Sequence, residues 1–325
     1  MLGTVAFEEL VATLRASRGL AAKRDIAAAT ARLSLSANSV IAVGDDCAAI
    51  PDSDGFLLLA IEGFINEFVE RDPWFAGWCG IMVNLSDVAA MGGRSIAVVD
   101  AIWATGQADA VPLLAGLRAA SETYGVPIAG GHTNLRTDRG QLAVAVLGRA
   151  RRLLTSFDAE PEDRLIAAID LRGRYRDPFA NWEAVTEAPP ARLAADLELL
   201  PVIAEAGLAL AAKDISQGGL VGTAMMLAEA SGVGATIDVM RVPRPSGVPL
   251  DRWLQTFPSY GFLLAVRQAN APAVLARFQG RAIAAADIGQ LTADCRVVLA
   301  DGPQLQTIWD FSRESFLGGA AAKSA

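Results

Sequence analysis

Two adjacent aspartates, Asp45 and Asp46, follow Gly44 at the end of the apolar run in VIAVGDDCAAI, residues 40–50. Neighbouring side chains on a strand face opposite ways, so both acids can serve one site only if the chain turns at the glycine. Two such carboxylates ionise together where a cation or hydrogen bonds offset their repulsion, and a solvated turn reads the same way. In NLSDVAAMGG, residues 84–93, Asn84 and Asp87 stand three apart. On a helix they share a face, where an amide and a carboxylate can ligate a hard cation, or they can cap the start of a short helix. Gly92 and Gly93 would end that helix.

Two further segments combine glycine with polar side chains. In VPIAGGHTN, residues 126–134, a short apolar strand meets Gly130 and Gly131, which permit positive φ and close approach of a ligand. His132, the one histidine of the chain, and Thr133 follow. In AAKDISQGGLVG, residues 211–222, Asp214 ends an apolar strand, Ser216 can cap, and Gly218 and Gly219 open a helix. Free N–H groups and the positive dipole end at a helix start suit phosphate. Cys47, beside the acidic pair, reads as a small buried thiol.

The bulk composition restricts the partners. A formal charge of −8 repels nucleic acid backbones and anionic lipid, so neither is an expected partner, and a bound nucleotide would need divalent cations as mediators. Three scattered cysteines form no C-x-x-C pair and suit a reducing compartment. No uncharged apolar run reaches the roughly 18 residues of a membrane helix, and the first residues do not resemble a secretory signal. A cytoplasmic protein is expected. The P-loop, dinucleotide and nucleophile-elbow motifs are all missing.

Apolar β-rich runs alternate with helical patterns along the 325 residues, which implies an α/β or α+β chain of two domains. Strands are expected at Ser39–Val43, Phe56–Ile61, Ser95–Trp103, Pro127–Gly130 and Gln141–Arg149. Later strands are expected at Arg164–Asp170, Leu208–Asp214, Ala235–Val239, Gly261–Arg267 and Cys295–Leu299. Helices are expected at Phe7–Ser17, Phe75–Met91, Val111–Tyr124, Ala191–Ala206, Gly219–Ser231 and Ala271–Gln279. Residues 149–164 read as the domain junction, giving domains 1–155 and 156–325, and Arg241–Pro249 as a proline-rich loop. The final residues read as frayed.

The order G-D-D, N-x-S-D-x-x-A-M-G, G-G-x-T, D-x-[ST]-x-G-[GL] resembles the AIR synthase-like (PurM-like) superfamily over roughly residues 40–267. The resemblance implies an N-terminal α/β domain whose strands pair across a homodimer to form a barrel, and a C-terminal α/β domain. It implies bound ATP and Mg²⁺, with Asp45, Asp46, Glu62, Asp87 and Asp214 as metal ligands. Gly44, Asn84, Gly130, Gly131, Thr133, Ser216 and Gly218 would line the nucleotide, and Asp45, Asp214 and His132 would stand at the reaction. Magnesium held by separated carboxylates would neutralise the transferred phosphoryl group while glycine N–H groups position it.

The expected activity is an ATP- and magnesium-dependent phosphotransferase or synthetase acting on a small phosphoryl acceptor. A nucleotide-binding dimer without turnover and a metal-dependent hydrolase are the rival readings. Thiamine-monophosphate kinases usually carry G-G-D-T, D-I-S-D-G and G-E-D-Y-E-L, where this chain has GGHT, DISQGG and PSYGFLL. Selenophosphate synthetases carry G-G-H-T and resemble FINEFVERDPWFAGW and LVGTAMMLAEASGVGATID. They also need a reactive cysteine or selenocysteine near a lysine, and residues 1–46 offer Lys23 but no cysteine. The carbamoyl dehydratase branch has a C-terminal cysteine where this chain has KSA.

Overall fold

A computed structural model describes residues 2–33 and 44–318. The expected strand Ser39–Val43 and all but the first residue of the tail lie outside the described residues. The chain opens with α1 (Thr4–Arg15), whose Phe7, Leu10, Val11 and Leu14 form one buried stripe at helical spacing. Next comes α2 (Arg18–Leu33), an alanine-rich segment that the sequence reading left without a helix.

The next segment holds β1 (Ala48–Asp52), β2 (Gly55–Gly63), α3 (Asn66–Arg71), α4 (Pro73–Ala90), β3 (Arg94–Trp103), α5 (Gln107–Tyr124), β4 (Ile128–Asn134) and β5 (Gln141–Ala150). It continues with β6 (Arg164–Ile169), β7 (Arg174–Tyr175), β8 (Asn181–Glu183), α6 (Pro190–Leu197) and α7 (Leu199–Glu205). The helix expected over Ala191–Ala206 is thus two, broken at Glu198 just before Pro201 enters the next turn. The rest comprises β9 (Ala211–Asp214), α8 (Gly219–Ser231), β10 (Gly234–Asp238), α9 (Leu250–Leu254), β11 (Phe257–Pro258), β12 (Gly261–Val266), α10 (Ala271–Gln279), β13 (Ala284–Thr292), β14 (Arg296–Asp301) and β15 (Gln304–Asp310). A short 3₁₀ turn at Val239–Arg241 precedes the proline-rich loop.

The described residues form two compact units. One comprises 46–153 and 187–205; the other comprises 1–45, 154–186 and 206–325. The chain first crosses between them at 45/46 and again at 153/154, inside the expected junction, and residues 187–205 return to the first unit.

In the unit of 46–153 and 187–205, five strands form an open sheet in the order β1-β2-β5-β3-β4. One face is covered. Leu58, Val98, Ile102, Leu142, Val144 and Val146 are buried there, each contributing roughly 1.5–3 kcal/mol. Helix α4 belongs to this layer and is buried all round from Phe75 to Ala90, which explains its apolar sequence on every side. Its start is set by Pro73 and by Asp72, whose side chain accepts from the Phe75 N–H at 3.3 Å. Helix α5 crosses it at glycines: a Cβ on Gly116 would lie 1.8 Å from the Trp74 carbonyl oxygen. The other face bears Leu59, Ile61, Val99 and Leu147, all exposed.

In the other unit, seven strands form a mixed sheet in the order β15-β14-β10-β13-β6-β12-β9, and β11, β8 and β7 form a small separate sheet. The central strands β6 and β12 are buried almost throughout, as two covered faces require. A core of Phe7, Leu14, Leu165, Ile215, Leu227, Trp253 and Leu299 joins α1, α8 and α9 to the sheet.

Candidate metal and phosphate site

Asn84 and Asp87 lie in the second half of α4, one turn apart, both buried and far from its start at Pro73, so they are not an N-terminal cap. Asn84 donates from Nδ2 to the Gly80 carbonyl at 2.8 Å. Its Oδ1 is buried without a hydrogen-bond partner among the described residues. Such an atom carries a desolvation cost of roughly 1–3 kcal/mol, which a ligand or ordered water would offset. The chain bends over residues 44–47, with Gly44 at φ 121°, so the expected turn is present.

Asp46 and Asp87 place carboxylate oxygens within 4.8 Å of each other. Two full charges at that separation repel by roughly 3 kcal/mol at an effective dielectric near 20, and a cation between them reverses the sign. Both donors are oxygen, which suits magnesium and not zinc, and Asn84 one turn away on α4 carries a further unsatisfied oxygen.

Glu62 on β2 and Asp100 on β3 flank Val144 of β5 in one cross-strand row, on the sheet face that α4 covers. Asp100 is an additional acid that sequence reasoning missed. Burial pushes its carboxyl above the ordinary aspartate value. The signal was available: an aspartate interrupts the apolar strand RSIAVVDAIW.

The glycines of GGHTN do not form a turn. Strand β4 continues through them to Asn134, and neither Gly130 nor Gly131 has positive φ. Gly131 instead permits close strand pairing, since a Cβ there would lie 2.7 Å from both the backbone oxygen and Oδ1 of Asp100. Alternation separates the next two side chains. His132 pairs with Ala101 on the open face, its ring 6.1 Å from that of Trp103, and Thr133 pairs with Ile102 on the covered face.

The remaining candidates belong to the other unit. Asp45 has no accessible side-chain surface. Its Oδ2 accepts the Ser156 N–H at 2.7 Å, and its Oδ1 accepts the Ser156 hydroxyl at 2.5 Å and lies 3.8 Å from Lys213 Nζ. Asp214 ends β9 and is buried, opposite Phe262 of β12. Ser216 accepts, through its carbonyl, the Gly219 N–H at 2.8 Å, closing the turn into α8; it makes no side-chain cap there. Gly218 is the N-cap of α8, and the aliphatic stem of Lys23 on α2 lies 3.6 Å from where its Cβ would be. Cys47 is buried.

The N-terminal domain of the family described as AIR synthase related protein matches residues 44–150, and the C-terminal domain of that family matches residues 167–302. The chain belongs to this family, within the PurM-like superfamily. A protein of Synechocystis sp. is 43% identical over 95% of this chain and 98% of its own length. One from Methanocaldococcus jannaschii is 32% identical over 86% of this chain and 87% of its own. A thiamine-monophosphate kinase of Pyrococcus horikoshii is 29% identical over 46% of this chain and 50% of that enzyme.

Among solved structures, Thermotoga maritima PurL complexed with ATP superposes with a TM-score of 0.71 at 18% identity, covering 84% of this chain and 46% of PurL. A ThiL complexed with AMPPCP and TMP gives 0.65 at 19%, covering 87% and 95%. The chain therefore shares the mixed α/β fold of these proteins and spans less than half of PurL. No helix among the described residues is long and apolar enough to cross a membrane.

Proposed function

We propose that this protein binds ATP through magnesium and transfers phosphate to, or activates, a small metabolite. The observation that carries the reading is the approach of Asp46 to Asp87, which stands one turn of α4 from Asn84, in a family with nucleotide-bound structural neighbours. Asp46, Asp87 and Glu62 would hold magnesium, with Asp214 proposed from its motif as a further magnesium-ligating carboxylate. Bound magnesium supplies the positive charge that lets a triphosphate rest beside carboxylates.

The chain's own residues supply position. Helix α4 is buried all round, so Asp87 and Asn84 cannot swing away, and the N–H of Gly218, at the opening of α8, suits a phosphate. His132 on the open face and Thr133 on the covered face are proposed as separate nucleotide contacts.

A homodimer is proposed from the exposed sheet face. Cross-strand rows Ala48–Leu59–Leu147–Ala97 and Ile61–Ala145–Val99 are apolar, and Ile61 is 68% exposed. A second copy of the same sheet would cover these rows and complete a barrel.

Thermal unfolding with and without millimolar ATP and Mg²⁺ tests the nucleotide reading, because a ligand specific for the native state raises the midpoint. An unchanged midpoint would defeat it. Phosphorus NMR with candidate acceptors then separates an enzyme from a nucleotide-binding dimer without turnover, and release of AMP in place of ADP favours selenophosphate synthetase-like chemistry.

A further inference from the structure

The two acids of G-D-D are neighbours in sequence but have unlike surroundings. Asp46 is partly exposed and comes within reach of Asp87. Asp45 is sealed: its side chain has no accessible surface, and each of its oxygens already accepts a hydrogen bond from Ser156.

Ser156 is itself fixed. It is fully buried, its carbonyl accepts the Ser231 hydroxyl at 2.7 Å, and that hydroxyl accepts the Ala159 N–H at 3.1 Å. Ser231 is the last residue of α8, so the carboxylate is tied through two serines to a helix of the core. Lys213, 6% exposed and on β9, stands 3.8 Å from Asp45 Oδ1 as a buried countercharge.

Magnesium binds reluctantly to oxygens it cannot reach with its waters, and a carboxylate that accepts a backbone N–H, a hydroxyl and an ammonium contact is already solvated by protein. We propose that Asp45 is a positioning residue and not a magnesium ligand. It locks the residue before Asp46 onto Ser156 and Lys213, and leaves Asp46 to meet the cation. The proposal rests on the reading of Asp46 as a magnesium ligand, and it reassigns the first acid of the motif.

An anchor and a ligand respond oppositely when no metal is present. A ligand is a burden to the metal-free protein, because its charge repels its neighbours, whereas an anchor stabilises it throughout. In metal-free protein, Asp45→Asn should lower the unfolding midpoint by roughly 6–12 °C, since it removes a buried countercharge from Lys213 and the charge that the Ser156 N–H and hydroxyl bond. Lys213→Met should also lower it, and the double variant should fall by less than the sum of the two. Asp46→Asn should leave the metal-free midpoint unchanged or raised.

With Mn²⁺ followed by electron paramagnetic resonance, Asp45→Asn should bind as many ions as the wild type. Asp46→Asn should bind fewer, or bind at least about tenfold more weakly. Should Asp45→Asn fail to fold, Ser156→Ala carries the test: it should lower the metal-free midpoint while retaining the full count of Mn²⁺.

A metal-free midpoint unaffected by Asp45→Asn, together with a lost Mn²⁺ ion, overturns the proposal. So do additive effects of Asp45→Asn and Lys213→Met. Failure of the wild type to bind Mn²⁺ would instead strike the proposed function, and the metal-free measurements would still read the Asp45–Lys213–Ser156 anchor.

Discussion

Asp87 is fixed in a helix with no exposed side, and Asp46 reaches it from a bend, so the metal-free protein carries their mutual repulsion. Asp87→Asn should therefore keep or raise the unfolding midpoint without metal and weaken magnesium-dependent ATP binding by at least about tenfold, read by calorimetry. Unchanged affinity would remove Asp87 from the site. Asp100 makes a separate prediction. Burial raises its carboxyl above the ordinary value of 3.8, so between the two values the folded chain holds a proton that the unfolded chain has released. Stability then falls as pH rises through that window, and the loss persists above it. Asp100→Asn should raise the urea midpoint at pH 7, with a smaller gain at about pH 4.5. Equal gains at both would mean that charge is not the cause. Spacing singled out the acids of G-D-D and N-x-S-D, of which Asp46 and Asp87 approach each other, but it could not divide Asp45 from Asp46, because Ser156 and Lys213 lie more than a hundred residues downstream.

Elements were readable where periodicity and punctuation agreed. Helices α8 and α10 run as expected, bounded by glycine, and strands β2, β3 and β5 follow their alternating patterns. Alanine defeated the reading elsewhere: α2 and β13 are both rich in it, and a residue that fits either state gives no period. The Gly-Gly pair of β4 suggested positive φ and close approach of a ligand, whereas neither glycine has positive φ and Gly131 instead makes room for Asp100. Glycine also sets the distance between α4 and α5. Gly116→Ala would drive a methyl into the Trp74 carbonyl, and Gly77 faces the Leu113 carbonyl in the same way, at 2.1 Å from a Cβ. Backbone cannot yield as a side chain can, so Gly116→Ala should destabilise by about 2 kcal/mol or more in denaturant titration. A cost below about 0.5 kcal/mol would show that the helices can separate freely.

At the scale of the molecule, the proposed homodimer rests on the open sheet face. Ile61 and Leu59 stand 68% and 48% exposed on neighbouring rows, more apolar surface than an isolated sheet usually shows to water. Ile61→Lys should shift the protein to monomer in light scattering and leave the unit's covered face intact. A wild type that is already monomeric at micromolar concentration would end the dimer reading. Length and composition implied two domains, 1–155 and 156–325, but gave no sign of the return of residues 187–205 to the unit of 46–153, where Arg94 of β3 bonds both Glu198 and Glu205.

Helix α1 has a further consequence. Its buried stripe and Arg15 belong with β15, and the Arg15 Nε bond to the Ile308 carbonyl spans 293 residues of chain. On the ribosome, at about 5–20 residues per second, that stripe waits roughly 15–60 s before its partner strand is made. Leu20, α8 and α9 can cover part of Phe7, Leu10, Val11 and Leu14 before then, but the helix can finish docking only when the last strand exists, so closure of this core is a late event.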